Sequence, residues 1–338
     1  MKNKICLVAS ILFNISISIA QDYHLTQFDA NPLFLNPALT GERLTSQNGV
    51  RFSAIYRDQT DKYSKTSASY NTMTVGIDSP VSNRLSVGQF IGNNRSADGG
   101  FNSFNLLLSG SYKLISSKDD NNRQNLSVGL QAGLLNNSIN TQKFTYASQY
   151  SPTALTGFDN TLSSGEAYSQ YSYTKFDCNF GIYYRLKSKN EKSIFTSGFS
   201  IYHIGENNDV NNLDNTIGIR RNLHASLIYN INSKIKITPQ VLYMDQYKMS
   251  EYNYGFLLNY ILKEAHESII GFSLLNTSTV VYQFGMIIKG TNVRASYSMP
   301  LNFTRNYSNK GLEFSLVHIF NKNVVRVKIE SIKESQTL

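Results

Sequence analysis

Residues 125–135 read NLSVGLQAGLL, and their alternation decides the fold class. Leu126, Val128, Leu130, Ala132 and Leu134 share one face of an extended chain, while Ser127, Gly129, Gln131 and Gly133 share the other. Successive side chains of a strand point to opposite faces, so a period of two marks a strand with one apolar and one polar side. A helix needs apolar residues three and four apart, and this run lacks that spacing.

The pattern repeats on both sides. FNLLLSGSYKL (104–114) sets Phe104, Leu106, Leu108, Tyr112 and Leu114 against Asn105, Ser109, Ser111 and Lys113. KFDCNFGIYYRL (175–186) sets Phe176, Cys178, Phe180, Ile182, Tyr184 and Leu186 against Asp177, Asn179, Gly181, Tyr183 and Arg185. Further runs are YNYGFLLNYIL (252–262), VVYQFGMIIK (280–289) and VRASYSMP (293–300). About fourteen are counted, near 48–57, 66–77, 84–92, 101–114, 124–136, 173–187, 193–204, 219–231, 235–247, 250–262, 267–275, 279–289, 292–299 and 311–320. Val324 to Ile329 is either a further edge strand or a tail.

Alternation also fits a soluble sandwich. Three features point instead to a barrel in lipid. One face is very apolar and aromatic, the other is rich in Gly, Ser, Asn and Gln, and the runs have the ~10-residue length of a tilted membrane strand. Closure is then obligatory, because an open edge in hydrocarbon leaves backbone groups unpaired. The expected fold is all-β: a transmembrane antiparallel β-barrel of about 14 strands with a short N-terminal non-strand segment. With that segment at the periplasmic end, outward connectors follow odd-numbered runs. The longest, 137–172, follows the fifth. It reads as an ordinary surface loop, or as one that folds into the barrel mouth or grips a partner.

The ends and the composition agree. Lys2 and Lys4, the mostly apolar stretch Ile5–Ile19 and the small residues Ser18 and Ala20 form a secretory signal, expected to be cut before Gln21. Cys6 lies inside the signal, so a lipoprotein is not expected. The formal charge of +9 falls to +7 when the two lysines leave (9 − 2). Cys178 is then the only cysteine, and no intrachain disulfide can form. Charged residues are 16%, below the ~25% of soluble domains, and the scattered Lys and Arg leave no nucleic-acid footprint. The expected domains are signal peptide 1–20, an N-terminal periplasmic or lumen-packing segment 21–47, and an outer-membrane barrel 48–338.

The sequence offers little for catalysis. His24, His203, His224, His266 and His318 do not stand at metal-ligand spacing, and no nucleophile elbow, P-loop or H-E-x-x-H occurs. His224 and Ser226 share one strand face, a chance pairing in a Ser-rich chain. No catalytic residue, cofactor or metal is expected. Asp177, Arg185, Arg294 and Glu313 fall on inward faces, where they pair with each other or tune a pore.

One segment stands outside the alternation: FDANPLFLNPALTGE (28–42), apolar, with two Asn-Pro steps. A residue before proline is pushed toward extended backbone, so the stretch reads as too broken for a helix. Together with the strand ending YRDQ, it resembles the N-terminal signature of the PorP/SprF family. The matching positions are Gln27, Phe28, Asn31, Pro32, Leu33, Leu35, Asn36, Pro37, Ala38 and Gly41, then Tyr56, Arg57 and Gln59. FDCNFGIYYRL, GFSIYHI, KITPQVLYM and the closing GLEFSLVHIF are also similar. The chain departs in having Thr60 where the family often has Trp, and Leu312-Glu313 where it often has His-Glu. The resemblance implies a non-enzymatic outer-membrane protein of Bacteroidetes, acting in type IX secretion or gliding, that exports or anchors a specific cargo. Implied partners are outer-membrane lipid, components of the periplasmic ring, and secreted cargo with a C-terminal sorting domain. An outer-membrane diffusion or ligand-uptake channel is the alternative. Leu33, Phe34 and Leu35 are expected to anchor the segment on the first strands or inside the lumen, Pro32 and Pro37 to fix its bends, and Asn31 and Asn36 to satisfy backbone groups.

Overall fold

Strands form wherever apolar and polar residues alternate, and among the described residues of the computed structural model there are fourteen: β1 (Gly49–Gln59), β2 (Tyr70–Pro80), β3 (Leu85–Ser96), β4 (Phe101–Ser116), β5 (Gln124–Ile139), β6 (Tyr171–Lys187), β7 (Ser193–Tyr202), β8 (Arg220–Asn230), β9 (Ile235–Gln246), β10 (Met249–Lys263), β11 (His266–Leu275), β12 (Thr279–Ile288), β13 (Thr291–Pro300) and β14 (Gly311–Asn321). The structure describes residues 22–44, 49–59, 69–96, 99–116, 124–141, 144–155, 157–159, 161–165, 171–205, 217–247, 249–263, 265–301 and 310–321. The expected signal and Val324–Ile329 lie outside them.

Each strand pairs antiparallel with its sequence neighbours, and β1 pairs with β14, so the sheet closes. Closure leaves no strand edge to face lipid, which is what makes a sheet viable in a bilayer. Side chains sort as the alternation requires. Leu108, Leu130, Phe176 and Phe284 on the outer face are 60–68% exposed, whereas Ser127, Gln131 and Asn179 on the inner face are buried. Outer aromatics meet across strands, with Phe272 centred 6.2 Å from Phe256 and 6.0 Å from Tyr282. Such cross-strand pairs stiffen the wall. Cys178 lies on this outer face, half-buried.

Two local readings change. The second strand runs Tyr70–Pro80, ending three residues beyond the expected 66–77, whose residues 66–68 lie outside the described ones. The register of β4 against β5 slips between Lys113 and Ile115, so Leu114 and Ile115 are both exposed. A bulge inserts one residue into one strand, and strict parity then fails beyond it.

The two ends of the barrel differ. At one end the connectors between described strands are short: 81–84, 188–192, 231–234 and 289–290. The opposite end carries the long ones, including 140–170, where a single turn at Ala147–Gln149 and a bridge between Tyr150 and Phe158 order part of the loop.

The N-terminal segment lies inside the ring. It is a string of single turns: a 3-10 turn at Phe28–Ala30, one α turn (α1) at Pro32–Leu35, and a second 3-10 turn at Pro37–Leu39. The expectation that it is too broken for a helix therefore holds only for lengths beyond one turn. Asn31 (φ −122°, ψ 89°) and Asn36 (φ −165°, ψ 124°) are the non-helical joints before each proline. Each proline then opens the next turn, where its missing N–H costs nothing.

Candidate functional site in the barrel lumen

The lumen site consists of this segment and the inward side chains that grip it. Two apolar clusters hold its centre. Leu33 and Phe34 pack with Tyr23, Ile55, Phe90 and Leu107 on one side. Leu35 packs with Phe28, Ala38, Leu39, Tyr183 and Leu242 on the other. Leu33, Phe34 and Leu35 are at most 5% exposed, and each such burial contributes about 1.5–3 kcal/mol. The five wall residues Ile55, Phe90, Leu107, Tyr183 and Leu242 are apolar exceptions on the polar face.

The motif asparagines do different work. The Asn36 side chain accepts from the Ala38 N–H at 2.9 Å and donates to the carbonyls of Ile182 (3.0 Å) and Phe199 (3.3 Å) on β6 and β7. It also lies 3.2 Å from His224 Nε2. The Asn31 side chain instead bonds hydroxyls, donating to Thr74 (3.0 Å) and accepting from Ser53 (3.4 Å). Its backbone carbonyl takes the N–H of Phe34 and of Leu35. The Leu35 carbonyl, left open at the end of α1, accepts from Ser200 (3.0 Å) and Asn222 (3.2 Å). A helical end buried without such partners would be costly.

Glycines make the close approach possible. A Cβ on Gly181 would lie 1.9 Å from Asn36 Oδ1, and one on Gly129 would lie 2.3 Å from Ala38 N. Gly41 adopts φ +68°, a left-handed conformation, and donates its N–H to Asp78.

At the short-turn end, Arg51 fastens the segment. It donates to Asp78 Oδ1 (2.9 Å) and to the carbonyls of Glu42 (3.1 Å) and Leu39 (3.0 Å). The Glu42 carboxylate accepts from Asn125 (2.7 Å) and lies 3.9 Å from Arg185. At the long-loop end, Glu313 takes the consecutive N–H groups of Thr26 (2.9 Å) and Gln27 (2.7 Å) and pairs with Arg57 (3.1 Å). Arg294 pairs with Asp29 at 2.8 Å.

His203, just past β7, lies between Asp22 (2.8 Å) and Asp177 (3.1 Å), one carboxylate at each ring nitrogen. Both nitrogens must donate, so the ring is an imidazolium. Burial alone would lower its pKa, but the Asp22 charge and the hydrogen bonds of both carboxylates raise it to about 10. Burial likewise opposes ionisation of Asp22, yet His203 and Arg220 hold its carboxyl below the usual range. Arg220 reaches Asp22 at 3.0 Å and stacks over the rings of Tyr202 and Phe34. His24 behaves oppositely. Burial and the nearby Arg57 charge keep it neutral, so it accepts from Arg57 at 2.9 Å. Its 3.6 Å approach to Glu251 is therefore not an ion pair.

Of the motif residues, Asn31, Pro32, Leu33, Leu35, Asn36, Pro37, Ala38, Gly41 and Arg57 meet in the lumen. Tyr56 does not, since it faces outward, 45% exposed, beside Asn71. All four inward charges expected from parity face the lumen and have acidic or basic partners. The sequence reading missed Asp22, Arg51, Asp78 and Arg220. The inward parity of the latter three was the available signal, but their partners lie on other strands or in the segment. His224 stacks on Tyr183, while the Ser226 hydroxyl bonds that of Thr196 at 2.7 Å, so each is engaged elsewhere rather than with the other as base and nucleophile. A cavity of about 120 Å³ remains between the segment and β6–β9, lined by Phe28, Leu39, Arg43, Tyr183, Ser226 and Gln240. No cluster of His, Cys, Asp or Glu suited to a metal occurs among the described residues.

A closed antiparallel barrel, apolar outside and filled by its own N-terminal segment, defines an outer-membrane β-barrel protein with an internal plug. The chain belongs to the PorP/SprF family, described as a type IX secretion system membrane protein, whose family model matches residues 17–318. No curated protein matches. Among solved structures it is similar in fold to the Ralstonia pickettii toluene transporter TbuX, at 9% identity and TM-score 0.50, covering 85% of this chain and 92% of that one. A Pseudomonas aeruginosa FadL homologue aligns at 10% identity and TM-score 0.47, covering 85% and 93%. The Pseudomonas putida toluene transporter TodX aligns at 7% identity and TM-score 0.45, covering 89% and 94%.

Proposed function

We propose that this protein is a non-enzymatic, plugged outer-membrane barrel that exports or anchors a specific cargo protein at the cell surface in type IX secretion. Family membership supports the secretion role. The observation that carries the mechanism is the plug, which crosses the lumen from Asp22 at the long-loop mouth to Leu44 beside β1 and is bonded to the wall along that path. A lumen so filled holds polypeptide and does not serve as an open pore, which counts against a general diffusion channel. In this reading residues 1–20 are removed, the segment 21–47 supplies the plug through its described residues 22–44, and the long loops face outward, as in other such barrels. The partners are the periplasmic ring on the short-turn side and a cargo with a C-terminal sorting domain on the other.

The test is deletion of the gene, with surface adhesins and secreted proteins measured beside small-solute uptake. Loss of particular surface proteins with normal uptake is expected. Unchanged export with reduced uptake would overturn the proposal in favour of a channel.

A further inference from the structure

The two halves of the plug are held in different ways. No side chain of residues 31–44 has a buried polar atom without a hydrogen-bond partner. Wall atoms of this kind beside residues 31–44 are Arg185 Nε and Asn222 Oδ1, whereas in and around residues 22–30 such atoms are more numerous: the Tyr23 hydroxyl, Asp29 Oδ1, Arg57 Nε, Asp177 Oδ2, Arg220 Nε, Glu251 Oε1, Asn253 Oδ1 and Arg294 Nε. Unmade bonds of buried polar groups are costly, so this half fits its site less well.

The wall grips this half by its backbone as well as by its side chains. Glu313 accepts two successive N–H groups, from Thr26 and Gln27. Asn253 reaches the Thr26 carbonyl at 3.4 Å, and Gln246 accepts the Asp22 N–H at 2.7 Å. Backbone groups are common to all peptides, so these bonds would hold any extended segment, and the side-chain contacts set which one is preferred. Side-chain contacts run along the whole segment: Arg57 donates to His24 at 2.9 Å, Thr26 Oγ1 donates to Glu313 at 2.9 Å, and Arg294 pairs with Asp29 at 2.8 Å. His203 and Arg220 bind the carboxylate of Asp22. Ser315 donates to Gln27 Oε1 at 2.6 Å, and Gln27 Nε2 donates to the Glu313 carbonyl at 3.0 Å. Residues 22–30 lie at the long-loop mouth, so they can leave without opening the barrel, giving up the contacts of Tyr23 with Phe34 and of Phe28 with Leu35.

We propose that the long-loop half of the lumen is an exchangeable peptide-binding groove, occupied in cis by residues 22–30. Its partner in trans is a polypeptide segment with an acidic residue four positions before a Thr-Gln or Ser-Gln pair. This rests on the proposed secretion role for the source of that segment, but the groove itself does not depend on that role.

The experiment uses two proteins and a fluorescent peptide, DYHLTQFDA, copied from residues 22–30. The first protein lacks residues 22–30. It should bind the peptide, and a peptide N-methylated at the positions of Thr26 and Gln27 should bind about a hundredfold more weakly, two charge-assisted hydrogen bonds being lost. The second is the full chain carrying Asp22→Ala, Thr26→Cys, Ser296→Cys and Cys178→Ser. The hydroxyls of Thr26 and Ser296 lie 2.9 Å apart, so the new pair can lock the plug by a disulfide. The peptide should bind after reduction and not before. A folded truncated barrel that ignores the peptide, or takes both peptides alike, overturns the groove. If the truncated chain does not fold, equal uptake by the oxidised and reduced full chain overturns it. Should the groove pass while cells with the locked barrel export surface proteins normally, the groove stands and the secretion role falls.

Discussion

Asn36→Ala tests whether the doubled Asn-Pro motif is a structural clasp. Asn36 is fully buried, and its side chain makes four contacts within 3.3 Å: Ala38 N, the carbonyls of Ile182 and Phe199, and His224 Nε2. Removing the side chain leaves the Ala38 N–H without its acceptor in a buried site, at about 1–3 kcal/mol. The cap of the turn that follows is the same bond seen from the backbone, so it is not added again. The two strand carbonyls and His224 each lose one partner, together contributing about another 1 kcal/mol. The expected loss is therefore about 2–4 kcal/mol. Asn36→Asp separates the two sides of the clasp. It keeps the acceptor for Ala38 but points a carboxylate at two carbonyl oxygens, so it should be worse than Ala. The chain has no Trp, so unfolding in urea is best followed in detergent by circular dichroism and by heat-modifiable gel mobility. Cleavage of residues 22–44 by added protease reports on the plug alone. Wild-type stability and protection in Asn36→Ala, or an Asp variant more stable than the Ala one, would refute the reasoning. A normal barrel with failed export would instead assign the motif to partner contact.

Gly129→Ala should block seating of the plug, because its new Cβ meets backbone atoms at Pro37 and Ala38 that cannot swing aside. The expected cost is at least about 1–3 kcal/mol, read as faster proteolysis of residues 22–44 with the strand spectrum retained. Arg57→Met leaves Glu313 buried without its cation and should destabilise the fold by about 3–5 kcal/mol in urea melts. The His203 clamp predicts a pH dependence with a definite sign. A histidine pKa raised to about 10 in the fold contributes stability that is complete below its unfolded value and is lost as pH rises through about 10. The lowered Asp22 contributes above the ordinary carboxylate pKa and loses its share as pH falls. Release of residues 22–30, measured by protease access, should therefore grow from about pH 6.5 to 10, and His203→Gln should flatten that rise. In planar bilayers the intact protein should pass little steady current, and deletion of residues 22–44 should raise it.

The sequence by itself determined the wall. Alternation in runs such as NLSVGLQAGLL fixes which side chains face lipid, because a strand has period two whatever its neighbours do. Parity likewise assigned Asp177, Arg185, Arg294 and Glu313 to the lumen. The Asn-Pro stretch was visible as something other than strand, since proline constrains its own backbone and that of the residue before it. Tertiary structure alone decided the rest. The grip of Glu313 on Thr26 and Gln27 spans 287 and 286 residues of sequence. Closure of β14 on β1 brings them together, and no local pattern encodes that meeting. The α1 turn at Pro32–Leu35 escaped notice because one turn is too short to show a period and is held by the wall groups that take its open carbonyl. Inward apolar residues such as Leu107 and Leu242 broke the polar rule for the same reason: what faces the lumen is chosen by what fills it, and here the filling is the chain's own N-terminal segment.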